Sequence, residues 1–143
     1  MIEIKKDPLY LFIKDRESVI RNKLPPLYFS GEDDNPASFL NLSPQEKTTL
    51  VAWVLNILVK GKSINTEITS YGIKHLFDKS LNGFYVKNGV MKGAMLIAGF
   101  KVNDMQQQNW CFNIRQSSLT NMRHISYEYP TRYDLEEKYK EGK

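Results

Sequence analysis

The run Ser43-Pro44-Gln45-Glu46 is the feature that most constrains how this chain folds. A serine before a proline, with a glutamate at the third helical position, is typical of a capped helix start. Apolar residues then recur at helical spacing, at Leu50, Trp53, Val54, Ile57 and Leu58. Gly61 is the expected C-cap. The pattern predicts a central core helix in which Trp53 is a buried aromatic rather than a platform for a ligand.

A second capped helix is predicted near the N-terminus. Asp7-Pro8 supplies a hydrogen-bond acceptor and then a proline whose missing N–H costs nothing in the first turn. Apolar residues follow helical spacing as far as Leu24, and Pro25-Pro26 ends the run. Residues 27–41 are rich in turn residues and hold three consecutive acids, so they are predicted to form a loop.

Two shorter helical runs are predicted after the central helix. The first extends from Ser63 to the turn at Asn82-Gly83. The second is expected to begin with Asn88 as its cap and to end at Gly99. Its methionines and alanines recur every three or four residues, which indicates a packed face.

The apolar pattern changes period after Phe100. In residues 109–115, Trp110, Phe112 and Ile114 alternate with polar or small residues, which predicts a strand. A second extended piece, residues 124–129, is expected to pair with it. The fold class predicted is therefore α+β: a helix-rich single domain with a small antiparallel sheet or hairpin near the C-terminal third.

Length and cysteine content limit the class of protein. A chain of 143 residues is expected to form a single domain. Its three parts are a helical part (1–60), a basic helix-turn-helix-like part with a strand (61–125) and a charged tail (126–143). Cys111 is the only cysteine, which fits a reducing cytoplasm. Apolar runs are too short to span a bilayer, so no membrane association is expected.

Positive charge is concentrated in the middle of the chain. Residues 1–60 hold 8 Lys/Arg and 8 Asp/Glu, whereas residues 61–125 hold 8 Lys/Arg and 3 Asp/Glu, a net charge of +5. Residues 126–143 hold 4 Lys/Arg and 5 Asp/Glu. Two interpretations stay open at this point: a solvated basic face that maintains solubility, or a surface that faces phosphates.

The residue patterns of catalysis and of cofactor or metal binding are absent from the sequence. His75, Cys111 and His124 are widely separated, and the usual metal-ligand spacings do not occur. Cys111 lies between two aromatic residues, with no base beside it to lower its pKa. The glycines are spaced for turns and helix packing rather than for a phosphate-binding loop. The sequence therefore predicts a non-enzymatic protein with no cofactor.

Binding is the remaining class of function. The candidate binding residues surround the two shorter helices and are Lys74, Lys79, Tyr85, Lys87, Asn88, Lys92, Lys101 and Arg115. Lys74 and Lys79 are expected to point away from the packed face of their helix. Lys87, Lys92 and Lys101 flank the second helix and are the best candidates for phosphate contacts, which give affinity without reading sequence.

Residues 70–98 also allow a variant helix-turn-helix. Asn88 and Lys92 would then lie at the start of a recognition helix, where side chains contact base edges. However, that helix is rich in Met and Ala, and the turn before it is longer than the roughly three or four residues of the motif. Both features favour a buried helix over one that reads a groove.

Three segments in the middle of the chain resemble segments of known proteins. SYGIKHLF, GFYVKNGVMKGAMLIAGF and NWCFNI, within residues 69–114, resemble a module of small accessory proteins of bacterial phages and plasmids. Those proteins have no assigned activity, so the resemblance transfers no functional residue. It implies a mobile-element protein in a bacterial host. Proteins of that setting often regulate DNA or disarm nucleic-acid defences, anti-CRISPR proteins among them.

The leading hypothesis is a non-enzymatic mobile-element protein that binds nucleic acid or a nucleic-acid-bound host complex. An anti-CRISPR-like inhibitor is its most concrete form. The alternative is a DNA-binding transcriptional regulator that uses residues 70–98. An enzyme is the least supported class, because nucleophile, metal and cofactor patterns are missing. The sequence leaves the oligomeric state open, and also whether the partner is DNA, RNA or an acidic protein surface.

Overall fold

The computed structural model describes residues 4–22 and 32–125. The helices are α1 (Pro8–Arg16), α2 (Ser18–Asn22), α3 (Pro44–Ile57), α4 (Ser70–Asp78), α5 (Asn88–Ile97) and α6 (Gln116–Ile125). Short 3₁₀ helices cover Ile4–Lys6, Glu32–Asp34 and Pro36–Asn41. Strands β1 (Lys60–Asn65) and β2 (Phe112–Ile114) form an antiparallel pair. The expected α+β class, helix-rich with a small antiparallel sheet, is confirmed.

Helix α3 begins as the sequence predicts. The Ser43 hydroxyl accepts from the Glu46 backbone N–H at 3.1 Å, and the Glu46 carboxylate accepts from the Ser43 N–H at 2.9 Å. Trp53 is fully buried, with its ring 5.4 Å from that of Phe77 in an edge-on contact. The expected C-cap at Gly61 is wrong. Leu58 is the C-cap, because its extended backbone already leads the chain into β1.

Helix α1 also starts as predicted, since the Asp7 carboxylate accepts from the Leu9 N–H at 2.9 Å. The helical run is interrupted at Glu17, between α1 and α2. Glu17 is fully buried, and its carboxylate lies 2.6 Å from the Lys47 ammonium on α3. This ion pair ties the N-terminal helices to the central one. The predicted helix end at Pro25-Pro26 lies outside the described residues.

The predicted loop at 27–41 is wrong for the part that the structure describes. Residues 32–34 and 36–41 form 3₁₀ helices that pack against α5. A side chain at Gly93 of α5 would lie 2.5 Å from Phe39 Cβ and 2.7 Å from the Pro36 carbonyl oxygen. The missing side chain is therefore what lets this segment approach so closely.

The helix predicted from Ser63 begins later. Residues 60–65 form β1, and α4 starts at Ser70 with Thr69 as its cap. Helix α4 ends at Asp78, ahead of the turn at Asn82, whose φ is 65°. The predicted end at Asn82-Gly83 is therefore late, because Lys79 already caps the helix. Its start depended on a strand pairing that local sequence does not encode.

Strand β2 has a different partner from the one expected. It pairs with β1, Lys60 opposite Ile114, and its other side bridges to Val102. The predicted partner, 124–129, is wrong for residues 124 and 125, which lie in α6, and residues 126–129 are outside the described ranges. Leu119, in α6, is fully buried.

Helix α5 forms the middle of the packed core. All ten of its residues are buried. At its C-terminal end, the Arg16 guanidinium donates to the carbonyl oxygens of Ile97, at 2.6 Å, and Leu96, at 3.2 Å. Gly99, with φ of 92°, then turns the chain away, which a residue with a side chain does at a cost. A cation at the negative end of the helix dipole is also favourable.

Candidate nucleic-acid interface

The eight residues predicted for binding lie in separate places. Three of them, Lys87, Asn88 and Lys92, are at the start of α5 beside the acidic segment 32–34. Two, Lys74 and Tyr85, contact each other next to α4. Lys79 is exposed at the end of α4. Lys101 and Arg115 flank the small sheet, and these two remain the candidates for a basic surface.

Lys92 is buried, which corrects its expected role as a phosphate contact. Its side chain is 2% exposed, and its ammonium donates to the Asp34 carbonyl oxygen at 3.0 Å. The same ammonium lies 4.8 Å from the centre of the Trp110 ring. A side chain enclosed in this way cannot reach a phosphate on a bound nucleic acid.

Asn88 is buried as well and is not the cap of α5. Lys87 holds the N-cap position, and the Asn88 amide nitrogen contacts the Asp34 carboxylate at 2.9 Å and the Asn109 side-chain oxygen at 3.0 Å. Lys87 lies 3.4 Å from the carboxylate of Asp33. These contacts fix α5 to the acidic segment.

The recognition-helix role of α5 is therefore wrong. A helix that reads a major groove must present its N-terminal side chains to solvent. Asn88 and Lys92 point into the protein, and no residue of α5 is exposed. The composition of this helix, which favoured burial, is explained by its place in the core.

Burial lowers the pKa of Lys92 to about 8, although the charge of Asp34 acts in the opposite direction. In the unfolded chain the ordinary value of 10.5 applies. Between these values the folded state binds fewer protons, so the free energy of unfolding should rise with pH through this window. We expect a rise of at most about 3 kcal/mol from this residue, at about 1.36 kcal/mol per pKa unit.

Denaturant unfolding measured between about pH 7 and pH 10 tests this expectation. The Lys92→Met protein serves as the reference. Subtracting its free energy of unfolding from that of the unmodified protein cancels the titration of the other lysines and of the tyrosines. The difference should grow with pH in favour of the unmodified protein. A difference that does not change with pH would show that the Lys92 ammonium is hydrated.

The basic surface lies on the small sheet. Residues 60–67 and 114–116 line an open depression of about 710 Å³. Three cationic side chains, Lys60, Lys62 and Arg115, belong to this lining, and all three residues are exposed. Together with the exposed Lys101 they are called the basic face here.

Backbone contacts place the basic face. The Arg115 N–H donates to the Val59 carbonyl oxygen at 2.7 Å, which extends the β1–β2 pairing. Asn113 connects the remaining members: its amide donates to the Gly61 carbonyl oxygen at 3.1 Å, and its side-chain oxygen accepts from the Lys101 N–H at 2.7 Å. The buried polar residue thus holds Lys101 against the strand that carries Lys60 and Lys62.

The charges of the basic face are not neutralised within residues 4–22 and 32–125. None of its four cations forms an ion pair with an acid of those ranges. Glu67, the acid in the depression, accepts instead from the Gln116 amide at 2.9 Å. The four exposed side chains therefore carry their charges without an acidic partner in those ranges, and the Lys60 ammonium lies 5.6 Å from the centre of the Phe100 ring.

Sequence reasoning missed Lys60 as a site residue. Lys62 was grouped with the basic residues around the two shorter helices but was not among the candidate binding residues. The signal was a Lys-x-Lys pattern on a strand. Lysines on an exposed edge strand also discourage pairing with a second chain. That reason does not apply to Arg115 and Lys101, which lie outside β1.

Cys111 and possible metal-binding or membrane-spanning features complete the description of the site. Cys111 is buried, and burial raises the pKa of its thiol, which disfavours the reactive thiolate. Within the described ranges, no three His, Cys, Asp or Glu residues are grouped so that they could hold a metal ion. The helices described there are also too short or too polar to cross a membrane.

Comparison with known proteins gives no match to a family model, to a curated protein or to a solved structure. The function of the chain is therefore inferred from its own charges and contacts.

Proposed function

We propose that this is a non-enzymatic protein that binds nucleic acid by holding phosphates on the basic face. The observation that supports this proposal most is the grouping of Lys60, Lys62 and Arg115 around one open depression, without acidic partners in the described chain. The phosphates of a nucleic-acid backbone are closely spaced anions, and several lysines and arginines can neutralise them together.

Binding of this kind depends on charge more than on sequence. Each phosphate that a lysine or arginine neutralises releases condensed counterions, so affinity falls steeply with salt. The basic face consists of lysine and arginine side chains, whose contacts with phosphates carry no sequence information. It is expected to position a nucleic acid without selecting its sequence.

The biological setting is a second part of the proposal. The resemblance within residues 69–114 favours a mobile-element protein that acts on a nucleic-acid-bound host complex, most concretely as an anti-CRISPR-like inhibitor. Expression in a bacterium with an active CRISPR system should then restore transformation by a targeted plasmid. Unchanged interference by that system would contradict this setting without bearing on phosphate binding.

A paired charge reversal tests the basic face. Lys62→Glu with Arg115→Glu should weaken binding to both duplex and single-stranded DNA. The slope of log affinity against log salt should fall by about 0.9 per lost contact on duplex, or about 0.7 on single strands. Fluorescence anisotropy across a salt series measures both quantities.

The matched control is Lys5→Glu with Lys6→Glu, which changes the net charge equally at exposed residues outside the lining of the depression. Exposed charges contribute little to stability, so both double variants should stay folded by circular dichroism. Equal weakening of nucleic-acid binding in both double variants would show that only net charge matters. It would contradict the assignment of binding to the basic face. Absence of binding by the unmodified protein at low salt would overturn the proposed function.

A further inference from the structure

Two exposed tyrosines lie on or near α4, which follows the depression in sequence. Tyr71, on the first turn of α4, is 49% exposed, and Tyr85, after α4, is 73% exposed. Both rings lie near one lysine: the Lys74 ammonium is 4.6 Å from the centre of the Tyr85 ring and 5.7 Å from that of Tyr71. The pair of rings with Lys74 is called the tyrosine platform here.

The platform is fixed before any ligand binds. Lys74 is 4% exposed, and its ammonium lies 3.0 Å from the Asp78 carboxylate. The other oxygen of that carboxylate accepts from the Val86 N–H at 3.1 Å, which holds the chain next to Tyr85. Tyr71 is supported in addition by an edge-on contact with His75, with ring centres 4.4 Å apart.

Lys74 was expected to point away from the core, and this expectation is wrong. Its ammonium is enclosed by the two rings and Asp78, so it supports the rings and does not contact a phosphate itself. Tyr85 retains most of its surface in solvent despite this contact. An exposed ring in a fixed position, held by a cation, is a surface on which another flat π system can stack.

The platform adjoins the basic face along the chain. Glu67 lines the depression, and Tyr71 follows four residues later. Four residues span at most about 14 Å, so the backbone of Tyr71 lies within that distance of the Glu67 backbone in the lining of the depression. Unpaired cations next to exposed aromatic rings are the combination that binds single strands, through phosphates and stacked bases.

We propose that the tyrosine platform stacks the bases of a single-stranded nucleic acid whose phosphates lie on the basic face. This inference rests on the proposed function and adds the class of ligand. The bases of a duplex are already stacked on one another, so their faces cannot reach Tyr71 or Tyr85. The protein is therefore expected to prefer single strands over duplex at equal salt.

Substitutions at Tyr85 test the stacking. Tyr85→Leu should weaken binding to oligo(dT) roughly 5- to 150-fold, the range that base–aromatic stacking gives, and Tyr85→Phe should retain it. Binding of inorganic polyphosphate, which has no bases, should be the same in all three proteins. Leu81→Ala removes a residue that is 49% exposed, as Tyr71 is, but carries no ring, and it should leave oligo(dT) binding unchanged.

A tryptophan at the platform gives a direct signal. Trp53 and Trp110 are fully buried, so in Tyr85→Trp the new indole is the one that solvent and ligand reach among the described residues. Its emission should be quenched by oligo(dT) and not by polyphosphate, because only the bases stack.

The outcomes separate the two proposals. Equal oligo(dT) affinity in Tyr85→Leu and the unmodified protein, with weakened binding in the Lys62 and Arg115 double variant, would overturn the platform and leave the basic face standing. Equal loss of polyphosphate and oligo(dT) in Tyr85→Leu would also overturn it, since stacking needs bases. If the unmodified protein binds no polyanion at low salt, both proposals fail.

Discussion

Replacing Trp53 with alanine is expected to lower the free energy of unfolding by about 3–5 kcal/mol. The side chain is fully buried in α3 and packs edge-on against Phe77, so its removal leaves a large void. Denaturant unfolding followed by circular dichroism measures the change. A loss well below 1 kcal/mol would contradict the central position of α3 in the core.

Trp53→Phe is the matched control. The indole N–H of Trp53 is buried and has no hydrogen-bond partner in the described part of the chain. A buried donor left in this state costs about 1–3 kcal/mol, and phenylalanine removes it while keeping a ring for Phe77. Trp53→Phe should therefore cost much less than Trp53→Ala. Equal losses of stability in the two variants would show that the indole N–H has a hydrogen-bond partner in solution.

Lys92→Glu is expected to lower the free energy of unfolding as much as Trp53→Ala does, by about 3–5 kcal/mol or more. The reason is that it buries an unpaired negative charge. The new carboxylate would face the Asp34 carbonyl oxygen and lose the contact with the Trp110 ring. Thermal and denaturant unfolding should both show the loss. Any accompanying loss of nucleic-acid binding should follow the unfolded fraction.

Lys92→Met keeps the length and the apolar stem of the side chain, so it separates charge from packing. It should cost no more than about 1–3 kcal/mol, for the carbonyl oxygen of Asp34 left without a donor. A stable, folded Lys92→Glu protein that has lost binding would instead show that Lys92 reaches the ligand.

Local signals in the sequence predicted the elements that depend on neighbouring residues. The capping box at Ser43 and the Asp7 cap formed as expected, because their partners are within three residues along the chain. The strand around Phe112 was also found by its alternation. The local pattern did not identify its partner, β1, which lies about fifty residues earlier in the chain. The register between strands so far apart in sequence is set by which faces are buried in the core.

The candidate site was predicted only in part, and for a related reason. Net charge located the basic middle of the chain, and Lys101 and Arg115 stayed exposed there. Charge alone did not show that Lys92 and Lys74 are enclosed, because long lysine stems pack like apolar residues while the ammonium finds a carbonyl, a carboxylate or a ring. Lys60 joined the site through strand pairing, which the sequence did not indicate.

The burial of α5 bears on how mutational data for this protein should be interpreted. A scan of single substitutions would find α5 among its least tolerant segments, because each of its ten residues is packed and Gly93 has no room for a side chain. That intolerance would report abundance of the folded protein rather than contact with a ligand. Substitutions at Lys62 or Tyr85 would pass unnoticed in an abundance assay and be visible only where binding itself is selected.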